Sequence, residues 1–427
     1  MTGLSVRVDR GFAGVLLLLS LLATLPYVRA VGLPLISDDY LVIGLSKDYG
    51  PVSGWLDLLA DPLYRSRTTT MVLAWWIYEW SGMDPLPYNL FALLLHGLNT
   101  WLVFAFGRLR YVGWRVAALM AAFFAVYEGH QEAVIWFSAV PELLVFFFGL
   151  LALHTWVEWL EGRRWCYGAA MLSFVLALLS KESGVVFAPL LLLPLWLQCR
   201  DDLWRRARGV LPFFAITAVY VALVFSGKSG NHHFDDGTFS LRAPFWLTIP
   251  HSIGRMLWIW GIPSMAALLY WRPRGWKIVM AVGFGWMTLT LLPYSFLTYM
   301  TRVPSRHTYL ASAGLSLLVG YACCQLMARY WESRRWVPVA LGVALVSHNC
   351  LYVWLYKHDQ YVRRAAPTEH LIRVAEAASG PIFMESFPYT RSVAEHTVEL
   401  MTGKPRSWLL FDPREQGRAV RLFSWKE

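Results

Sequence analysis

Asp38 and Asp39 stand side by side directly after the first hydrophobic run of the chain, behind Leu33-Pro34-Leu35-Ile36-Ser37. A carboxylate there can take a proton from a hydroxyl. Two adjacent ones can divide the work of base and orienter, or share a divalent cation. The plainer reading is a solvated loop acid or a helix cap, because Ser37-Asp38-Asp39 opens an apolar run. Further along, Tyr64-Arg65-Ser66-Arg67 offers two guanidiniums, suited to bidentate phosphate binding or to snorkelling among headgroups. In Glu128-Gly129-His130-Gln131-Glu132, His130 and Glu132 can form a second acid/base or metal group, or a capped turn. Ser180-Lys181-Glu182-Ser183 puts Lys181 and Glu182 between two apolar runs with almost no loop, where charge is costly. Lys181 can neutralise a phosphate there, or pair with Glu182. Arg302-Val303-Pro304-Ser305-Arg306-His307 sets Arg306 and His307 at the entry to another apolar run, facing a shared cavity or anchoring the helix. Weaker signals are His232-His233 with Asp235-Asp236, a loop pattern open to metal, and His96, a lone histidine inside an apolar run.

The elements that must hold these residues follow from composition. Of 427 residues 57% are hydrophobic and 15% charged, with mean hydropathy +0.43. That is too little charge to cover a soluble surface. The apolar runs are continuous rather than alternating, so they read as helices, which satisfy their own backbone in lipid, and not as a barrel. The fold expected is an all-α polytopic membrane protein. Its segments are 11–27, 86–107, 113–127, 136–160, 165–180, 183–199, 209–226, 252–271, 276–297, 308–328 and 336–354. They make about 11 crossings, several of them shorter than the ~20 residues of a straight one. The first can also be read as a signal peptide cut after Ala30. Either reading leaves the following loop outside.

Sidedness comes from the basic clusters. Arg7/Arg10, Arg108/Arg110/Arg115, Arg163/Arg164, Arg200/Arg205/Arg206/Arg208, Arg272/Arg274/Lys277 and Arg329/Arg334/Arg335 fall at alternate turns, as cytoplasmic loops require. The net charge of +10 is therefore topology, not a nucleic-acid surface. All the chemistry-bearing residues named above, apart from His96, then lie on the non-cytoplasmic face. The first outside piece, 28–85, should hold interfacial helices around Trp55–Leu59 and Thr68–Trp80. The tail from 356 to 427 reads as a small α/β appendage: helix 368–379, strand 381–386, helix 390–402, strand 407–411. It is too short for an independent enzyme. The five cysteines show neither a disulfide framework nor zinc spacing.

Several strings, taken in order, carry a resemblance. They are Tyr64-Arg65, Pro87-Tyr88-Asn89-Leu90, Leu95-His96-Gly97-Leu98-Asn99, Gln131-Glu132-Ala133-Val134-Ile135-Trp136, Leu179-Ser180-Lys181-Glu182-Ser183 with Pro189, and Leu292-Pro293 before Arg306-His307-Thr308-Tyr309-Leu310. The chain resembles the GT-C class of integral-membrane glycosyltransferases. Within it, the chain is most similar to the protein O-mannosyltransferase-like group, which includes animal transmembrane enzymes with TPR repeats and bacterial relatives. Departures are Ser66 where the group has proline, His130 where it commonly has His-Pro before Gln-Glu, and His307 where it has tyrosine. No TPR array follows.

The resemblance implies inverting transfer of a sugar from a polyprenyl phosphate to an acceptor hydroxyl. Asp38 or Asp39 is implied as the base and Glu132 as a second acid. Arg65, Lys181 and Arg306 are implied as the cations on the lipid phosphate. Arg67, His96, His130, Glu182 and His307 complete the expected substrate-binding set. Metal dependence, the sugar, and whether the acceptor is protein, lipid or glycan stay open. The expected setting is a bacterial plasma membrane with the site facing the periplasm. The main rival is a transporter or flippase of lipid-linked sugars, which would carry its charges near the midplane, often in inverted repeats. A non-catalytic scaffold of the same fold is the other alternative.

Overall fold

A computed structural model describes residues 10–109, 111–198, 206–227, 237–298 and 301–426. All eleven apolar runs are helical within these limits. Among the described residues, five helices are long and apolar enough to cross a membrane unaided: Pro85–Arg108, Phe137–Leu160, Arg208–Ser226, Trp276–Phe296 and Trp336–Glu376. Arg10–Thr24, Trp114–Val126, Cys166–Leu178 and the broken stretch Glu182–Leu197 are apolar but short. The run expected as one crossing over 252–271 differs from expectation. It begins at Phe245, breaks after Leu257 and resumes as Gly261–Trp271 at 83°. Phe137–Leu160 is the central helix, with 78% of its apolar window inside the protein. Arg208–Ser226 and Trp336–Glu376 bury only 17% of theirs, and so form the lipid-facing rim.

Helices in lipid gain little from apolar contact alone and need close backbone approach. Gly320 supplies it, since a carbon in its side-chain position would sit 2.5 Å from the Met120 backbone nitrogen. Gly314 does the same against the Gly283 carbonyl. Polar residues of the quoted strings act as fasteners. Asn89 donates to the carbonyls of Val31 (3.1 Å) and Leu33 (2.9 Å), pinning the loop that leads to Asp38. Asn99 donates to the Leu143 carbonyl at 3.0 Å.

The stretch 28–85, expected as an outside loop, holds three helices, Asp38–Tyr49, Trp55–Ala60 and Thr68–Ser81. The last two are helical where the sequence led to a pair of helices being expected. The tail is more elaborate than expected. Its first helix is His358–Glu376, and it continues the Trp336–Tyr352 helix through a π-turn at Val353–Lys357, so no linker separates membrane body from appendage. Three parallel strands follow: β1 (Ile382–Ser386), β2 (Leu409–Leu410) and β3 (Arg421–Ser424), in the order β2-β1-β3. The third strand was not expected. Helix Arg391–Thr402 packs the appendage onto helix Asp38–Tyr49. There Asp48 meets His396 (3.3 Å) and Arg406 (2.7 Å), and Gly44 is the only size of residue that clears the His396 ring.

Candidate functional site

Asp38 and Asp39 open their helix just after Ser37, whose φ of +50° turns the chain sharply. Asp39 is buried, and both its oxygens accept hydrogen bonds. One oxygen accepts from the Ile36 amide at 2.8 Å, and the other from the Ser138 amide (2.7 Å) and hydroxyl (2.8 Å). It therefore ties the first turn of its helix to the start of the central one. Burial pushes its carboxyl up to about 7 against those three donors. Asp38 is half-buried and, among the described residues, its carboxylate receives only the Ser37 hydroxyl, at 3.2 Å. Burial raises its carboxyl above the usual range, while Ser37, Arg306 and Arg364 oppose the rise. The pair does not present two free carboxylates.

Beside it lies an arginine–indole layer. Arg306 binds Glu132 at 2.5 Å, and Glu132 also accepts from the Ser305 hydroxyl (2.9 Å) and the Arg306 amide (3.2 Å). Burial would raise Glu132, but Arg306 and these bonds hold it below the ordinary range. Arg306 lies 5.0 Å from the centre of the Trp136 ring. Trp136 in turn donates to the Ile36 carbonyl at 3.3 Å. A second guanidinium, Arg364 from the tail, lies 4.5 Å from the same ring.

A third group is buried deeper. Lys181 and His307 both bind Glu142 Oε1, His307 at 2.6 Å, and the Tyr294 hydroxyl binds Glu142 Oε2 at 2.5 Å. Lys181 also lies 5.1 Å from the Tyr294 ring. Arg67 pairs with Glu182 at 2.7 Å, and Ser66 donates to the same carboxylate at 2.7 Å. Lys181 and Glu182 thus do not pair with each other; each has a partner from elsewhere in the chain. Arg65 donates to the backbone carbonyls of Asp61 (3.1 Å) and Ala60 (3.4 Å).

Glu142, Tyr294 and Arg364 are absent from the residues expected from sequence. A signal for Glu142 existed: it is a carboxylate inside the apolar run 136–160, where an unpaired charge is costly. Nothing local marks the other two.

His96 and His130 are placed differently from the rest of the expected set. Both are fully buried. His96 bonds the Tyr309 hydroxyl (2.8 Å) and the Ala125 carbonyl (3.0 Å), so both ring nitrogens are used. His130 bonds Ser312 at 2.6 Å and lies 4.5 Å from the Tyr309 ring. These two histidines join helices in the core and do not face the acid–arginine layer. His232, His233, Asp235 and Asp236 lie outside the described residues. Among the described residues, no group of three or more His, Cys, Asp or Glu side chains is arranged to hold a metal ion. A cavity of about 190 Å³ opens behind Ser305, lined by Glu128, Gln131, Arg255, Trp260, His348 and Tyr352 among others. Burial pushes Glu128 up to about 7 there.

No family model matches the sequence. Over 112 residues, a quarter of the chain, the sequence is 36% identical to the protein O-mannosyl-transferase Tmtc1 of Drosophila melanogaster. That match spans 13% of the fly protein's length. The crystal structure of ArnT from Cupriavidus metallidurans in the apo state superposes with a TM-score of 0.56, covering 96% of this chain and 89% of that one at 17% identity. The chain has the fold of ArnT. A second ArnT structure, bound to undecaprenyl phosphate, agrees at a TM-score of 0.56 and 18% identity, covering 90% of its chain. With its apolar helices, this is therefore a multi-pass membrane protein. At this identity the likeness to ArnT is one of fold.

Proposed function

We propose that the protein is a GT-C-type membrane glycosyltransferase. It moves a sugar from a polyprenyl phosphate to an acceptor hydroxyl, with inversion, on the non-cytoplasmic face of a bacterial plasma membrane. The observation that carries the reading is Asp38, a half-buried carboxylate with most of its hydrogen-bonding capacity unused, set beside the Arg306–Trp136 layer. The ArnT-like fold, the undecaprenyl phosphate found with ArnT and the short match to a protein O-mannosyl-transferase all support it.

In this mechanism Asp38 takes the acceptor's hydroxyl proton as that oxygen attacks the anomeric carbon. The bond from that carbon to the phosphate oxygen breaks, and polyprenyl phosphate leaves as an anion. The leaving group needs charge stabilisation rather than a proton. Arg306 can supply it, since its bond to Glu132 uses one of five donors. Lys181 and Arg65 are the further cations. Glu132 holds Arg306 in place rather than serving as the second acid that the resemblance implies. Asp39 sets the helix start from which Asp38 projects. A divalent cation at the acidic pair would rely chiefly on Asp38, because both Asp39 oxygens already accept hydrogen bonds. The sugar is left open, with mannose favoured by the Tmtc1 match alone.

The test uses membranes containing wild type or Asp38→Asn, supplied with radiolabelled polyprenyl-phosphate sugars. Labelled acceptor from wild type, lost in a variant of equal abundance, is the expected result. Label that crosses the bilayer without joining an acceptor would replace this reading with the transporter.

A further inference from the structure

Arg364 belongs to the tail, yet its guanidinium lies on the indole of Trp136, which also carries Arg306. Its Cζ is 4.5 Å from the Trp136 ring centre and 5.5 Å from that of Tyr361. A guanidinium held by ring faces keeps its N–H donors free, unlike one held by a carboxylate. Among the described residues, Arg364 forms no ion pair and its side chain makes no hydrogen bond. Its neighbours on the same ring are already anchored: Arg306 is held by one bond to Glu132 at 2.5 Å, with its other donors left over, and the indole N–H goes to Ile36 at 3.3 Å. The layer therefore carries one cation more than its own ion pair needs. That cation offers a planar fork of donors beside Asp38. Such a fork matches a phosphoryl group, which accepts two parallel hydrogen bonds.

We infer that Arg364 and Arg306, stacked on Trp136, form an anion clamp shared between the C-terminal unit and the membrane body, and that it takes a phosphoryl group. The inference rests on the proposed transferase reading only for the identity of that group as the phosphate of a polyprenyl lipid. The continuous helix from Trp336 to Glu376 and the packing of the appendage on the Asp38 helix keep Arg364 in register with the membrane site. On this view the appendage completes the substrate site.

The experiment measures binding of undecaprenyl phosphate, of undecaprenol and of inorganic phosphate to the full-length protein in detergent. It compares wild type, Arg364→Gln, Arg364→Lys and Arg363→Gln, each checked for an unchanged melting temperature. Arg363 is exposed and serves as the equal-charge control. Arg364→Gln is expected to weaken undecaprenyl phosphate binding by about 10- to 100-fold, the worth of one or two charged hydrogen bonds. Arg364→Lys falls between, keeping charge but losing the fork, and Arg363→Gln stays near wild type. Undecaprenol binding is unaffected in all four. Equal losses in Arg364→Gln and Arg363→Gln, or none in either, overturn the clamp. If wild type binds undecaprenol as tightly as its phosphate, the polyprenyl-phosphate donor fails. The clamp survives that result if inorganic phosphate binding still falls in Arg364→Gln, and falls with the donor if it does not.

Discussion

A proton acceptor needs lone pairs that the protein has not already used, and this separates two adjacent aspartates. Asp39 spends both oxygens on Ile36 and Ser138. Asp39→Asn would place an amide N–H₂ against one of those donors. It should lower stability by about 1–3 kcal/mol, read as a drop in melting temperature, with activity falling only as far as folded protein is lost. Asp38→Asn should leave the melting temperature alone and reduce transfer by about 10²–10⁴-fold, the usual worth of a general base. A pH profile adds an independent check. The base works only when ionised, and burial raises Asp38 above the usual aspartate value. Transfer should therefore fall as pH is lowered through a midpoint above that value, and Asp38→Asn should abolish this limb.

At the scale of elements, the central helix Phe137–Leu160 carries its own buried charge. Glu142 has no exposed side-chain surface and is matched by Lys181 from the break after helix Cys166–Leu178. Removing one partner of a buried pair costs about 3–5 kcal/mol, whereas replacing both by apolar residues is often close to neutral. Glu142→Leu should therefore destabilise strongly, while Glu142→Leu with Lys181→Met should restore part of the melting temperature but not transfer, since His307 and the Tyr294 hydroxyl still lose their partner. Restored transfer in the double variant would remove Lys181 from the site. Close helix approach makes a second demand. Gly320→Leu would press a side chain into the backbone at Met120, and should lower thermal stability in detergent without touching any site residue.

At the scale of the whole molecule, the α/β tail folds back onto the helix that presents Asp38, through Gly44, Asp48, His396 and Arg406. The exposed Asp48–Arg406 bridge is a weak tie; the tighter constraint is the space at Gly44. Gly44→Leu should lift the tail from the Asp38 helix while leaving the membrane helices assembled. The expected result is faster proteolysis of the tail, unchanged membrane insertion and reduced transfer. Intact transfer with a loosened tail would show that the appendage is not needed for the reaction.

The apolar runs were legible because lipid exposure selects long stretches of apolar residues, a signal that survives in one dimension. The basic clusters also led the sequence to expect Asp38, Arg65, Lys181 and Arg306 on one face, an assignment that rests on loop charge alone. Helices Trp55–Ala60 and Thr68–Ser81 were readable for the same local reason as the apolar runs. Pairing was not. Glu142 with Lys181, Arg67 with Glu182, Glu132 with Arg306, and Arg364 on Trp136 join residues that only the packed fold brings together. Asp38 and Asp39 are the same residue type at consecutive positions, and nothing local tells them apart. The distinction came from Ser138, at the start of a helix about 100 residues away: which lone pairs remain free depends on what packs against them, and only the tertiary structure determines that.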